Sequence, residues 1–251
     1  FVIQPVSLPD WMFTIDYFQM ELKDTIGGIY ADIICFDTNN TTHIFCENIV
    51  RDATGNAAEF WELTSNRGME ETRGVDTQIQ YRADLPEGMA WPGGFASFRV
   101  NLYWTHLIAL EGQESPVTQV YDCAGLFGWP CFNASNPENR VTTNFSYLSG
   151  PFEAQLTWRW IQGLGNGSPL AYELWGWGTP DPAIPKVSDR NYFDLGFAWT
   201  FDDRYQLRFG VSNLLDTSPV MMADAVWSNN TDDAMYDVFG RSYYLRLSAQ
   251  F

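Results

Sequence analysis

The sequence predicts an all-β protein: an antiparallel transmembrane β-barrel of about eight strands plus an N-terminal strand stub. Three observations predict it. Apolar and polar residues alternate with a period of two in one segment after another, as strands with one greasy and one polar face require. Aromatic residues make up 16% of the chain, with 11 Trp, 12 Tyr and 18 Phe; a barrel facing lipid uses such residues as girdles at both interfaces. Tight turns alternate with long loops, which is the pattern of short periplasmic turns and long extracellular loops.

The elements follow in chain order. Phe1–Gln4 reads as the end of a strand, turned by Pro5 and Pro9. Trp11–Leu22 is the first full strand, with Phe13, Ile15 and Tyr17 on one face and a less regular far half. A long loop over 24–72 leads to a strand in which Val75, Thr77, Ile79 and Tyr81 oppose Gly74, Asp76, Gln78 and Gln80. The Gly- and Pro-rich segment Leu85–Gly94 makes a turn. Phe98, Val100, Leu102 and Trp104 then oppose Ser97, Arg99, Asn101, Tyr103 and Thr105. A second loop, 108–139, precedes Val141–Leu148, where Val141, Thr143, Phe145 and Tyr147 oppose Thr142, Asn144 and Ser146. Ser149-Gly150-Pro151 turns the chain into Phe152–Ile161, with Phe152, Ala154, Leu156, Trp158 and Trp160 against Glu153, Gln155, Thr157 and Arg159.

A third loop, 163–189, leads to Tyr192–Phe201, which sets Phe193, Leu195, Phe197, Trp199 and Phe201 against Asp194, Gly196, Ala198 and Thr200. Asp202-Asp203 is the next tight turn, into Arg204–Val211, where Tyr205, Leu207, Phe209 and Val211 oppose Arg204, Gln206, Arg208 and Gly210. The fourth loop, 215–237, precedes the cleanest alternation, Ser242–Phe251, with Tyr243, Leu245, Leu247, Ala249 and Phe251 on one face. Charges within these strands fall on the polar face. A charge on the lipid face would cost about 2–4 kcal/mol at mid-depth. Trp158 with Trp160, and Trp199 with Phe201, sit at strand ends like interface anchors.

Charge excludes one class of partner. With 14 Lys plus Arg against 31 Asp plus Glu, the net charge is −17, the wrong sign for binding phosphate backbones. No stretch approaches the roughly 20 consecutive apolar residues of a spanning helix. The mean hydropathy of −0.22 is no objection to a barrel, whose alternating strands average out. The rival fold is a soluble β-sandwich, which would turn the apolar face into a core. The chain opens Phe1-Val2-Ile3-Gln4-Pro5, without Met, basic n-region or small-residue cleavage site, and is expected to be part of a longer protein.

Cys35 and Cys46 lie close in sequence, as do Cys123 and Cys131, each pair within a long loop. An even count in local pairs suits two disulfides in an oxidising compartment. Metal binding is the rival reading, but there is no Cys-x-x-Cys, and His43 and His106 stand far apart. Catalytic signatures are lacking too: no Gly-x-Ser-x-Gly, no His-Glu-x-x-His and no phosphate-binding glycine loop. The expectation is therefore no enzyme, no cofactor and no metal.

The C-terminal stretch carries Gly210-Val211-Ser212-Asn213-Leu214-Leu215-Asp216, then Tyr236-Asp237-Val238-Phe239-Gly240-Arg241-Ser242-Tyr243-Tyr244, and ends on Phe251. It resembles the end of TonB-dependent receptors, which read "N-L-F-D" and, one loop later, "Y-D-x-x-G-R-x-Y"; Leu215 replaces the usual Phe. Upstream, Asp16-Tyr17 and the paired-cysteine loops with Arg51-Asp52, Thr54-Gly55 and Asp122-Cys123-Ala124-Gly125 are similar to large members of that family. The resemblance covers essentially the whole chain. It implies a 22-stranded barrel around an N-terminal plug, of which residues 1–251 would be the C-terminal part without plug or earlier strands. It further implies the bacterial outer membrane, contact with its lipid, and coupling to the TonB energy complex through the missing plug. The barrel-assembly machinery would recognise Tyr243, Leu245, Leu247 and Phe251.

On that resemblance, ligands meet loop aromatics and lumen residues. Trp129, Tyr172, Trp175 and Trp177 offer flat faces for stacking, and Arg99, Tyr103, Arg159 and Arg208 line the lumen, where the resemblance implies that they hold the plug or a ligand. The run Trp175-Gly176-Trp177-Gly178-Thr179-Pro180 is the best single candidate for a ligand-facing loop. The expected function is energy-dependent uptake of a bulky nutrient, an oligosaccharide before a ferric siderophore. The alternatives are a small passive porin-like or adhesion barrel and a soluble sandwich that binds a ligand.

Overall fold

The computed structural model describes residues 1–28, 44–61, 64–66, 68–92, 94–113, 118–132, 134–176, 178, 180–201, 204–223 and 230–249. Its wall is one antiparallel sheet, built from β1 (Val2–Ile3), β2 (Trp11–Lys23), β3 (Met69–Leu85), β4 (Ala96–Gln113), β5 (Asn139–Ser149), β6 (Phe152–Ile161), β7 (Arg190–Phe201), β8 (Tyr205–Ser212) and β9 (Ser242–Ala249). These neighbour one another in chain order from β1 to β9. That is the expected eight strands and stub. Among the described residues the sheet is an open path; β9 pairs with β8 alone and does not return to β2.

Register fuses the apolar faces of separate strands into one surface. Phe13 faces Ile79 and Ile79 faces Leu102. Val100 faces Phe145, which faces Leu156, which faces Leu195. Phe197 faces Phe209, and Phe209 faces Leu245. A one-residue slip anywhere would throw the set to the other face. This surface lies open: Phe197 is 47% exposed, Trp199 42%, Phe209 39% and Leu245 72%. A sandwich would cover it with a second layer, and among the described residues none does. Hydrocarbon is the solvent that such a face calls for.

Aromatic rings gather at both ends of that face. Toward the short turns, Trp91 packs on Phe152, Phe152 stacks on Trp199, and Phe201 stacks on Tyr205. Toward the long loops, Trp104, Trp158 and Trp160 each donate the indole N–H, to Asn139, Asn191 and Asp189. Ring in hydrocarbon and N–H toward water is the interfacial arrangement. From Phe152 to Trp158 the strand rises about 20 Å. Among the described residues no helix is long and apolar enough to cross a membrane.

Two strands are longer than the alternation predicts. β3 and β4 run 17 and 18 residues, so the loop expected over 24–72 ends at 68 and the loop expected over 108–139 begins at 114. The added length carries ion pairs, in which Arg73 binds Glu71 at 3.3 Å and Glu111 at 2.8 Å, and Leu110 packs against Tyr121, Cys123 and Cys131. Periodicity ends where hydrocarbon ends, but pairing does not. The turn expected at Asp202-Asp203 lies outside the described residues.

Candidate functional site

The long loops on one side of the sheet are structured. Ala134–Ser135, Leu126–Gly128, Leu164–Asn166 and Lys186–Val187 form a second small sheet that joins the loop between β4 and β5 to that between β6 and β7. The last loop, between β8 and β9, packs onto it. Phe127, Leu164 and Val187 of the small sheet meet Ile161 and Tyr192 of the wall, and Val220, Met222 and Tyr236 of that last loop. The three loops thus share one apolar core and form a cap. Asp232, 8% exposed, ties two of them together by accepting from the Ser135 backbone N–H at 2.9 Å.

The third loop is not the irregular segment expected. Ser168–Trp175 is a helix, α1, stopped by Gly176 in the left-handed region at φ 66°. Leu170 and Leu174 pack against Tyr121, Cys123 and Cys131. Cys123 and Cys131 form a disulfide with Cα atoms 5.3 Å apart, which closes the loop beneath α1. Cys46 is also disulfide-bonded; Cys35 lies outside the described residues. The helix escapes the two-residue pattern because its packing residues fall three to four apart, within a segment bracketed by glycines and prolines.

Where the cap meets the polar face of the wall, Arg159 is the centre. Its guanidinium donates two bonds to the Asp237 carboxylate, at 3.1 and 2.6 Å, and lies 3.4 Å from Asp194. It also sits over the Tyr192 ring, 5.0 Å from the centroid. This matches the planar, two-pronged preference of Arg for carboxylates. Asp194 accepts from the Asn213 backbone N–H at 2.8 Å. Asn213 closes a tight ring with Thr217, donating to its carbonyl and accepting from its N–H. Asp216 accepts from the Arg241 N–H at 2.8 Å. Asn213, Asp216, Asp237 and Arg241 thus belong to one latch that fastens both ends of the last loop to the wall. The partner of Arg159 was hidden from sequence reasoning because it lies 78 residues away; the Tyr236-Asp237 motif was the available signal.

A cavity of about 390 Å³ opens beside this latch, lined by Arg159, Asp194, Asn213, Asp233, Tyr236 and Asp237 among others. It is rich in carboxylates, and its one arginine is already engaged. Burial holds the Tyr236 hydroxyl above the ordinary tyrosine range, and Tyr192 and Asp232 nearby push the same way.

The residues expected to meet ligand divide into three groups. Tyr103 and Arg159 share one cross-strand row on the polar face, through Thr142. Arg99 and Arg208 lie on the same face but toward the short turns, well away from the cap. Trp129 and Tyr172 are half-buried within the cap. Trp177 and the side chain of Trp175 lie outside what is described. Tyr243, Leu245 and Leu247 are exposed on the apolar face of β9, while Phe251 is outside the described residues. Among the described residues no cluster of His, Cys, Asp or Glu is arranged to hold a metal.

Comparison with known proteins agrees with this architecture. Two mutants of the ferric enterobactin receptor of Pseudomonas aeruginosa are similar in structure, each with a TM-score of 0.56, at 13% and 12% identity. Each match takes in 96% of this chain and 29% of the receptor. The ferric-catecholate import receptor Fiu of E. coli matches at 11% identity, over 100% of this chain and 26% of its own, with a TM-score of 0.45. At such identities the likeness is one of fold, and this chain spans less than a third of the solved relatives. A search of curated proteins by sequence returns no match. The family model described as "TonB dependent receptor-like, beta-barrel" matches residues 6–214. An apolar face left open, aromatic rings at both of its edges and a cap of long loops on one side are what that family builds, and the chain belongs to it: the β-barrel family of TonB-dependent receptors, proteins of the bacterial outer membrane.

Proposed function

We propose that residues 1–251 are the C-terminal part of a larger receptor barrel, which takes up a bulky nutrient across the outer membrane with energy supplied through TonB. The observation that carries this reading is the cap, three long loops with a shared core held over the polar face by Arg159 and Asp237. A passive pore has no need for so much ordered loop above its opening. Among the described residues β9 pairs on one side only, which supports the larger barrel, since unpaired edges do not persist in lipid.

For the ligand we favour a neutral, hydroxyl-rich molecule, an oligosaccharide, over a ferric siderophore. Asp194, Asp233 and Asp237 line the cavity, and carboxylates accept hydrogen bonds from hydroxyl groups. The same carboxylates repel anionic iron chelates, as does the net charge of −17. The structural neighbour named as a ferric enterobactin receptor makes the siderophore the second reading. The test is titration of the intact purified receptor with a panel of oligosaccharides and ferric siderophores, followed by calorimetry. Saturable binding of an oligosaccharide, weakened in an Asp233→Ala variant, is expected. Binding of ferric siderophores alone would overturn the ligand assignment.

A further inference from the structure

We propose that the segment between β3 and β4 is a membrane foot: it folds outward onto the apolar face of the wall and sets Met89 and Trp91 into the phospholipid of the periplasmic leaflet. By its sequence this segment is a Gly- and Pro-rich turn, and such a turn would lie in the periplasm beyond the strand ends. The inference stands on the open apolar face and is independent of what the receptor carries.

Register shows which way the segment folds. Ala96, Ser149, Phe152, Trp199 and Leu207 face one another in a cross-strand row of the apolar side, which Leu247 ends. Ala96 and Ser149 make a low place in that row. Both are nonetheless buried, and the turn is what lies there. The Trp91 backbone N–H donates to the Ser149 Oγ at 2.6 Å, and the Trp91 ring packs on Phe152 with centroids 4.6 Å apart. The Tyr147 hydroxyl, from the same apolar side, donates to the Met89 carbonyl. Ser149, Phe152 and Tyr147 all point to hydrocarbon, so the turn that they hold is on the lipid side of the wall.

The chemistry of the turn suits a medium poor in water. Pro86 and Pro92 have no N–H to desolvate. The Met89 N–H donates to the Pro86 carbonyl at 2.9 Å, the Ala90 N–H to Glu87 at 3.1 Å and the Gly94 N–H to Trp91 at 2.9 Å. Lipid demands that backbone groups be satisfied within the protein in this way. Across residues 85–95 Glu87 alone is charged.

What the turn leaves uncovered is apolar. Met89 is 58% exposed and Trp91 47%. Trp91 packs on Phe152 and Phe152 stacks on Trp199, so this surface runs without a break into the face that meets hydrocarbon. That continuity names the occupant: the same lipid, at the level where acyl chains give way to headgroups. Interfacial segments enter that boundary by about 5–10 Å, and Trp is enriched there. A foot of this kind fixes how deep the wall sits in the bilayer, as interfacial aromatic anchors do.

The experiment uses the intact receptor in phosphatidylcholine vesicles. Met89→Cys, Leu247→Cys and Glu153→Cys are each labelled with an environment-sensitive fluorophore, with the unsubstituted receptor as background. All three side chains are exposed, so the substitutions disturb no packing. Part of the lipid is then replaced by phosphatidylcholine spin-labelled near the headgroup end of its acyl chain, which quenches fluorophores in contact with it. The loss of emission at 89 is expected to match that at Leu247, on the apolar face, and to exceed that at Glu153, which neighbours Phe152 on the polar face. A loss at 89 no greater than at 153, with 247 quenched, would overturn the proposal. So would quenching at 89 that appears only when the receptor is diluted in lipid, which would assign the turn to contact between two copies. Lack of quenching at 247 as well would refute the lipid contact of the apolar face itself, a separate failure.

Discussion

The ring of Tyr244 on β9 lies across the backbone of Gly210 on β8, its directly opposed residue on the polar face. A Cβ on Gly210 would collide with the ring, and the hydroxyl reaches to 3.7 Å from where a Cβ on Gly196, one strand further, would stand. Phe18 covers Gly74 in the same way at the other end of the sheet. Glycine weakens a strand by exposing backbone, and an aromatic ring laid over it restores the lost contact.

Gly210→Val is therefore expected to destabilise the sheet by about 1–3 kcal/mol, the range for overpacking a filled site. Tyr244→Ala in the same background should recover part of that loss, because it removes the collision. Urea unfolding of the receptor in detergent measures both. With Tyr244→Ala alone completing the cycle, a double variant destabilised by the sum of the two single losses would show that the ring and the glycine are not coupled.

The second prediction concerns the latch. Asp237→Ala leaves the Arg159 guanidinium, with 30% of its side-chain surface exposed, facing Asp194 alone. Losing a hydrogen-bonded charge partner of this kind costs about 1.5–3 kcal/mol. The loss should appear locally: the last loop should loosen before the wall does, because the strands keep their ladders. Limited trypsin digestion reads this directly, through cleavage after Arg241. Cleavage should speed up in Asp237→Ala and less so in Asp237→Asn. An unchanged cleavage rate in both would remove the latch from the account.

The wall was legible in the sequence because one physical rule, alternate residues facing unlike solvents, acts on every strand. Phe152–Ile161 is found where the alternation places it. That rule fails where both solvents are water. The outer halves of β3 and β4, with Glu70, Glu71, Arg73 and Glu111, carry no periodic signal and yet stay paired. The cap was illegible for another reason. Its core joins Phe127, Leu164, Val220 and Tyr236, residues from three loops with no local pattern between them. At the site, Arg159 and Tyr103 were visible as polar-face residues, but the carboxylate that occupies Arg159 comes from a distant loop.

The third prediction tests the open apolar face. Phe197→Arg puts a charge where Leu195, Phe197 and Phe209 meet lipid. At mid-depth the cost is about 2–4 kcal/mol. Thr157→Arg, on the opposite face beside Asp194, should cost far less, since a carboxylate and water are at hand. Folding of the receptor into lipid vesicles, followed by heat-modifiable gel mobility, compares the two. Similar yields for both variants would mean that the apolar face does not meet hydrocarbon.

The fourth prediction is a pH dependence of the cap. Tyr236 is 2% exposed and its hydroxyl has no hydrogen-bond partner among the described residues. Burial raises its pKa above the ordinary value of 10.0. In the folded cap the phenol stays neutral where the unfolded loop would already ionise. The stabilising contribution is thus complete below pH 10 and is lost as the pH rises from there toward the folded value. Tyr236→Phe removes the ionisable group along with a hydroxyl that nothing satisfies, so it should cost less than about 1 kcal/mol at neutral pH or add stability. Above pH 10 the wild-type cap should become more open to protease while the Phe variant stays protected. Tryptic cleavage after Arg241 between pH 8 and 11 follows this, with the peptide substrate rate as control. Parallel rises in the two proteins would assign the alkaline loosening to groups other than Tyr236.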